Sequence, residues 1–317
     1  MSKLRHSLDI ATSVLNEELC IDELFFRIKN TLSKHPDFDW RLIICDNGST
    51  DASWLIIKRL AEENNNVLGI RMSKTFPLDS AFTCGIDLAK ADALVIMASD
   101  LQDPPELIDE FLIKFKEGYE QVVAKVVKRD SVPYFRRLLS RLFYVIANKA
   151  TNNLIPKGVS DFRLLSRSAY LGAKGLREKN RFLRGLIAWT GFKTAVIEIE
   201  RPPRYKGKSK FVSIKLGKII SWSINAILSH TTKPLLIISF SGIFFSTLSL
   251  VSTFLFTIVW FTRGVPFAGF GTIVSLIVLG FSFTLMSVGI LGQYIALIYE
   301  EVKNRPIYII AEKFGKD

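Results

Sequence analysis

Two stretches of this chain carry no charged side chain: Pro234 to Thr262 and, after Arg263, Gly264 to Tyr299. Each exceeds the ~20 residues that a helix needs to cross a bilayer core. A buried helix of a soluble globule rarely runs so far without a polar face, so the pattern predicts two membrane-spanning helices over 234–299, joined by a short loop near 262–271. The chain has 317 residues, 49% of them hydrophobic, and that leaves ample apolar material for a separate water-facing core.

Charge is distributed to match. Arg201 to Lys233 holds eight Lys or Arg and no Asp or Glu, whereas TRGVPFAGFG between the two apolar runs carries one Arg. By the positive-inside rule both ends face the cytoplasm, and the expected place of the protein is the inner (plasma) membrane. The start, MSKLRHSLDIATSVLNEE, lacks the apolar run and cleavage site of a secretory signal, so the N-terminal part is expected to stay in the cytosol. The net charge of +12 therefore points to anionic headgroups; no recognition motif with interleaved surface aromatics points to nucleic acid. Two basic, aromatic segments at helical spacing, from Val132 and from Ser213, fit interfacial helices, and the first fits equally an amphipathic helix packed on a sheet. Cys20, Cys45 and Cys84, odd in number and widely spaced, suggest neither disulfides nor a zinc site. The expected organisation is a water-facing domain over 1–212, a juxtamembrane amphipathic segment over 213–233, the two spans, and a cytoplasmic tail over 300–317.

Within the first domain, short apolar runs (LDIATSVL, RLIICD, VLGIRM, ALVIMAS, YEQVVAKVV) alternate with stretches of helical composition. That alternation predicts a mostly parallel sheet with helices on both faces, binding ligands beyond the carboxyl ends of its strands. Polar residues gather at those ends: Asn16, Glu17 and Glu18; Asp46 through Asp51; then Asp100, Gln102 and Asp103. Singly, Asn16 or Asp51 can cap a helix, and Pro104 and Pro105 can open one. Together they favour a site. No Gly-rich phosphate loop is present, and an acidic rim would repel a nucleotide diphosphate unless a hard divalent cation, Mg²⁺ or Mn²⁺, bridged the two. Asp100 and the amide oxygen of Gln102, just past a strand, can both reach one ion.

The order NEE, DNGSTD, SDLQDPPE, DFRLLSR from Asp161, RFLRGLIAWTGF from Arg181, RYKGKSKF from Arg204 and GQYIALIYEEVKNRPIY resembles the membrane-bound polyprenyl-phosphate glycosyltransferases of the family-2, GT-A type, near bactoprenol glucosyltransferases and dolichol-phosphate mannose synthase. The resemblance implies a Rossmann-like GT-A domain followed by interfacial helices and two transmembrane helices. It implies inverting transfer of a sugar, glucose from UDP-glucose, to undecaprenyl phosphate; mannose from GDP-mannose or an aminoarabinose derivative requires only small pocket changes. Carried over by position, Asp46, Asn47 and Ser49 seat the nucleobase and ribose, Glu17 lies in the first donor loop, and Asp100 and Gln102 are the metal ligands. Asp161 matches the proposed catalytic carboxylate, with Arg163 structural or phosphate-facing beside it. Arg204, Ser209 and Lys210 match a segment that closes over the donor and acceptor phosphates, and Arg136 and Ser140 fit an acceptor-phosphate pair. Relatives usually show DADLQDPPE, and here Ala98 and Ser99 precede Asp100, so weaker or altered metal binding is expected; Pro77 replaces a common Gly. A lone helical hairpin leaves surface to fill, which suggests a homo-oligomer. The rival readings are a processive synthase, whose QxxRW motif and extra spans are missing, and a non-catalytic nucleotide- and lipid-binding membrane module.

Overall fold

The computed structural model describes residues 5–128, 158–179, 181–206 and 269–316, with scattered positions between 235 and 262. In chain order these form β1 (His6–Val14), α1 (Ile21–Ser33), β2 (Phe38–Asp46), α2 (Ser53–Glu63), β3 (Val67–Met72), α3 (Leu78–Leu88), β4 (Ala93–Ala98), a 3₁₀ turn at Pro105–Leu107, α4 (Ile108–Lys116) and β5 (Gln121–Lys128). There follow β6 (Val159–Ser166), α5 (Arg167–Gly175), α6 (Leu183–Trp189), β7 (Thr194–Glu200), α7 (Phe270–Val302) and β8 (Ile310–Gly315).

Local sequence explains the central elements. In α1 the buried residues Ile21, Leu24, Phe25, Ile28 and Leu32 recur at the spacing of one helical face. β1, β2 and β4 are buried along most of their length, and strands covered on both faces need apolar residues on both rather than alternation. Successive residues of β1 serve opposite layers. Ile10 packs in the core that holds α1, α2 and α4, and Ala11 packs in the core that holds α3, α5 and α6. A Cβ on Gly85 of α3 would lie 2.5 Å from that of Ala11, so the close approach of this helix to β1 requires glycine. Each fully buried Leu or Ile side chain here contributes about 1.5–3 kcal/mol relative to an exposed one.

The eight strands lie in the order β7-β5-β6-β4-β1-β2-β3-β8. β1, β2, β3 and β4 run parallel, as expected, and the strand order reverses direction at β1, the kind of switch point beyond whose strand ends open α/β sheets bind ligands. β6 departs from the expectation: it inserts antiparallel between β4 and β5, and β7 then pairs parallel with β5. β8 also departs from it. The expected tail folds back and pairs antiparallel with β3, joining the sheet unit. Its sequence, IAEKFG, is largely exposed and charged, which conceals a strand from periodicity but suits a sheet edge.

A second compact unit falls within Ile224–Arg305. There, Phe283–Val302 of α7 is long and apolar enough to cross a membrane, with hydropathy 1.3, and it is the only such helix among the described residues. Of the two expected spans, this helix overlaps the second, Gly264 to Tyr299. The other, Pro234–Thr262, lies mostly outside the described residues, and the positions described there are helical. Both expected interfacial helices lie outside them as well.

Candidate active site

One edge of the sheet gathers the polar residues. β1, β2 and β4 all end there, and β6, running the other way, begins there; its register of Ile96 with Arg163 brings Asp161 beside the end of β4. β7 ends on the same edge and delivers Arg201 and Arg204.

The loops after β1 and β2 are tied together by their own side chains. Ser49 Oγ accepts from Asn16 N–H at 2.9 Å, Asn16 Oδ1 accepts from Thr50 N–H at 2.8 Å, and Ser53 Oγ accepts from Glu17 N–H at 2.9 Å. Asn47 donates to the Phe76 carbonyl and accepts from the Phe76 N–H, both at 2.8 Å. Asn47 and Ser49 therefore tie the loops after β1, β2 and β3 to one another. Gly48, at φ +78°, leaves no room for a side chain, since a Cβ would sit 2.8 Å from the Lys74 carbonyl carbon. Asp46 is different. It is wholly buried, its Oδ1 accepts from Ser49 N–H at 3.0 Å, and its Oδ2 has no hydrogen-bond partner, with Arg71 Nε 3.7 Å away. Burial pushes its carboxyl above the ordinary range, against the pull of Ser49 and Arg71. A buried acceptor left unmet costs about 1–3 kcal/mol, and a ligand donor relieves it.

After β4, Leu101 adopts φ +60° and separates the neighbouring side chains. Asp100 stays at the rim: Oδ1 accepts from Gln102 N–H at 3.2 Å and Oδ2 lies 3.7 Å from Arg204 Nη1. Arg204 also grips the buried Glu17 carboxylate, so one guanidinium joins two acids of the first and fourth strands. Burial raises the Asp100 carboxyl, opposed by the Gln102 N–H. Asp103, by contrast, turns inward. It is fully buried and accepts from Arg201 Nη2 at 2.5 Å, Ala98 N–H at 3.2 Å and Ser160 Oγ at 3.4 Å. Among the described residues no group of three or more His, Cys, Asp or Glu is arranged to hold a metal. The partly buried Asp100 carboxylate and the Gln102 amide oxygen are hard donors of the kind Mg²⁺ or Mn²⁺ takes, and the Arg204 guanidinium 3.7 Å from Asp100 is the cation such an ion would displace.

Asp161 is held by Arg184, whose Nε and Nη2 each donate to one carboxylate oxygen at 2.5 Å. Burial would raise the Asp161 carboxyl, but Arg184, then Arg163 and Arg201, outweigh it and leave it below the ordinary value. Arg163 is buried and donates to the Ser160 carbonyl at 2.8 Å; burial lowers it to about 10. Asp79, opening α3, is pushed up to about 6 by burial and by Asp161. Being raised in the folded protein, this group stabilises below its unfolded value of 3.8, and the contribution is lost as pH rises through about 6. Asp79→Asn is therefore expected to stabilise the protein at pH 8 by on the order of 1–3 kcal/mol and to give no gain at pH 4, as read by thermal unfolding at both.

Of the residues singled out in the sequence, Glu17, Asp46, Asn47, Ser49, Asp100, Gln102, Asp161 and Arg204 come to this edge. Arg136, Ser140, Ser209 and Lys210 lie outside the described residues. Arg184, Asp79 and Arg201 were not singled out. Arg184 sits in the RFLRG run, and that motif was the one available signal; Asp79 had none.

The Glycosyl transferase family 2 profile matches residues 9–171. An uncharacterized glycosyltransferase of Bacillus subtilis, YkcC, is 34% identical over 306 residues, covering 96% of this chain and 94% of its own length. A bactoprenol glucosyl transferase of Shigella phage SfII is 33% identical over 304 residues, covering 96% and 97%. Among solved structures, glucosyl-3-phosphoglycerate synthase of Mycobacterium tuberculosis with Mn²⁺, UDP and product aligns at a TM-score of 0.47 and 19% identity, over 71% of this chain and 80% of that one.

Proposed function

Because this chain belongs to glycosyl transferase family 2, of the GT-A type, we propose that it transfers glucose from UDP-glucose to undecaprenyl phosphate at the membrane, inverting the anomeric carbon. Relatives that match nearly end to end are named bactoprenol glucosyl transferases, which supports the acceptor and the sugar. The apolar helix in α7 and the uncharged run before it support attachment to a bilayer by two spans. The single observation that carries the reading is the sheet edge where buried Asp46, with an unmet oxygen, lies with Asp100 and Asp161 at the ends of three different strands.

In this reading Asp46 accepts a hydrogen bond from the donor's uridine, and Glu17 and the loops tied by Asn47 and Ser49 wall the pocket. Asp100 and Gln102 would hold Mg²⁺ or Mn²⁺, which neutralises charge gathering on the departing diphosphate. Arg204 moves from the carboxylates of Glu17 and Asp100 onto phosphate oxygens. The acceptor is a phosphate monoester with a second pKa of ~6, so near neutral pH it is mostly dianionic and already nucleophilic. Its oxygen forms the new bond to the anomeric carbon as the bond to the diphosphate oxygen breaks. No strong base is needed, and Asp161, kept ionised by Arg184, is a poor one; it orients the acceptor and stabilises positive charge on the sugar ring.

The full-length protein in detergent, given undecaprenyl phosphate and radiolabelled UDP-glucose, is expected to produce lipid-extractable label that EDTA abolishes. Label only from GDP-mannose or another donor changes the sugar and keeps the reaction. Absence of label with every common UDP- and GDP-sugar favours the non-catalytic module.

A further inference from the structure

Asp46, Arg71 and Glu312 stand in one row across three neighbouring strands. Asp46 pairs in register with Arg71 across β2 and β3, and Arg71 with Glu312 across β3 and β8. The charges alternate, minus, plus, minus, from the candidate nucleotide pocket to the edge of the sheet. Arg71 lies between the two carboxylates, with Nε 3.7 Å from Asp46 Oδ2 and Nη1 3.6 Å from Glu312 Oε1, and its guanidinium rests on the Trp54 ring, 5.7 Å from the centroid. Glu312 is itself fixed. Its Oε2 accepts from Trp54 Nε1 at 3.2 Å and pairs with Lys58 Nζ at 3.0 Å.

An arginine beside a buried carboxylate with an unmet oxygen would ordinarily close the gap and form a direct charge-assisted hydrogen bond, the strongest available to both groups. Here it does not close, and Asp46 Oδ2 has no hydrogen-bond partner. The counter-pull comes from Glu312 and the stacking on Trp54. We propose that Glu312 and Arg71 are positioning residues for the donor nucleotide: Glu312, on the last strand, holds Arg71 off Asp46 and so keeps the Asp46 oxygen available to the uridine. The row gives the C-terminal strand, which follows α7 in the chain, a direct part in donor affinity. This rests on the reading that Asp46 receives the nucleotide.

The strand has other anchors. Tyr308 donates its hydroxyl proton to Asp87 Oδ2 at 2.8 Å, and Ser73 N–H donates to the Ile309 carbonyl at 2.9 Å, so loss of the Glu312 charge does not detach β8. Glu312→Gln is expected to raise the UDP Kd and the donor KM by about threefold to tenfold while kcat falls less than twofold, because Arg71 then swings onto Asp46 and competes with the uridine. Arg71→Ala removes the competitor. In that background Glu312→Gln is expected to change UDP affinity no further, an outcome that a purely structural role for Glu312 would not produce. The readouts are titration calorimetry with UDP and Mn²⁺ on the full-length protein and thermal unfolding of each variant. Equal losses from Glu312→Gln with and without Arg71, or wild-type UDP affinity in Glu312→Gln, overturn the inference and leave the glycosyltransferase reading standing. A wild-type protein that binds no UDP removes the UDP-glucose donor and this inference with it.

Discussion

Asp161→Asn slows sugar transfer at least tenfold, and roughly 10²-fold if the carboxylate acts mainly by stabilising charge as the anomeric bond breaks. The change keeps the shape of the side chain, and the amide oxygen still accepts one of the two hydrogen bonds that Arg184 now donates. Folding and UDP binding are expected to persist, since Asp46 and Glu17, the groups assigned to the nucleotide, are held by other partners. What disappears is the negative charge beside Arg184, Arg163 and Arg201. Initial rates with the lipid acceptor, alongside UDP titration of the same preparation, separate the two effects, and near-normal turnover would remove Asp161 from the mechanism. The pH profile adds a second check. A carboxylate held below its ordinary value stays ionised at every pH where the enzyme is assayed, and it protonates only in strong acid. An inflection in rate near pH 6 therefore belongs to the acceptor phosphate or to Asp79, and Asp79→Asn tells them apart by abolishing only the second.

The parallel core of the sheet was legible because strands buried on both faces leave dense apolar runs, and α1, α2 and α4 because each shows one apolar face. α3 was not. Its sequence, LDSAFTCGIDL, offers a glycine, a threonine and few strong helix formers, and it is held by packing against Ala11 and its neighbours. β6 was read only as a motif, since VSDFRLLS carries an aspartate and an arginine within a strand that tertiary pairing alone identifies. The site divides in the same way. Positions at strand exits follow from the fold class, which is why the sequence already places Asp46 and Asp100 at this edge. Partners distant in sequence do not follow from it: the grip of Arg184 on Asp161 and of Arg204 on Glu17 depends on where β6 and β7 insert. Asn47 and Ser49 also hold neighbouring turns, a task that in sequence looks the same as facing a nucleotide.

Asp103 shows that difference at its sharpest, and it yields the largest stability effect expected here. In sequence it stands beside Asp100 as a third rim carboxylate, yet the turn at Leu101 sends it into the protein, where it is fully buried and its main cation is Arg201. Arg201→Met strands a buried charge and is expected to cost about 3–5 kcal/mol, read by denaturation of the full-length protein in detergent. Asp103→Asn should cost less. The amide oxygen keeps the Ala98 N–H bond while the amide NH2 faces the Ser160 hydroxyl, which can accept from it, and the released Arg201 is about one-third exposed, so water can solvate it. Combining the two changes should recover part of the loss, because no unpaired charge then remains in the interior. A metal-ligand role predicts the opposite pattern: Asp103→Asn would shift Mn²⁺ dependence and spare stability, and Arg201→Met would tighten the cation by removing a competing positive charge. Destabilisation by Arg201→Met with partial rescue in the double variant places Asp103 in the scaffold, and leaves Asp100 as the one acidic side chain of that turn able to meet the donor.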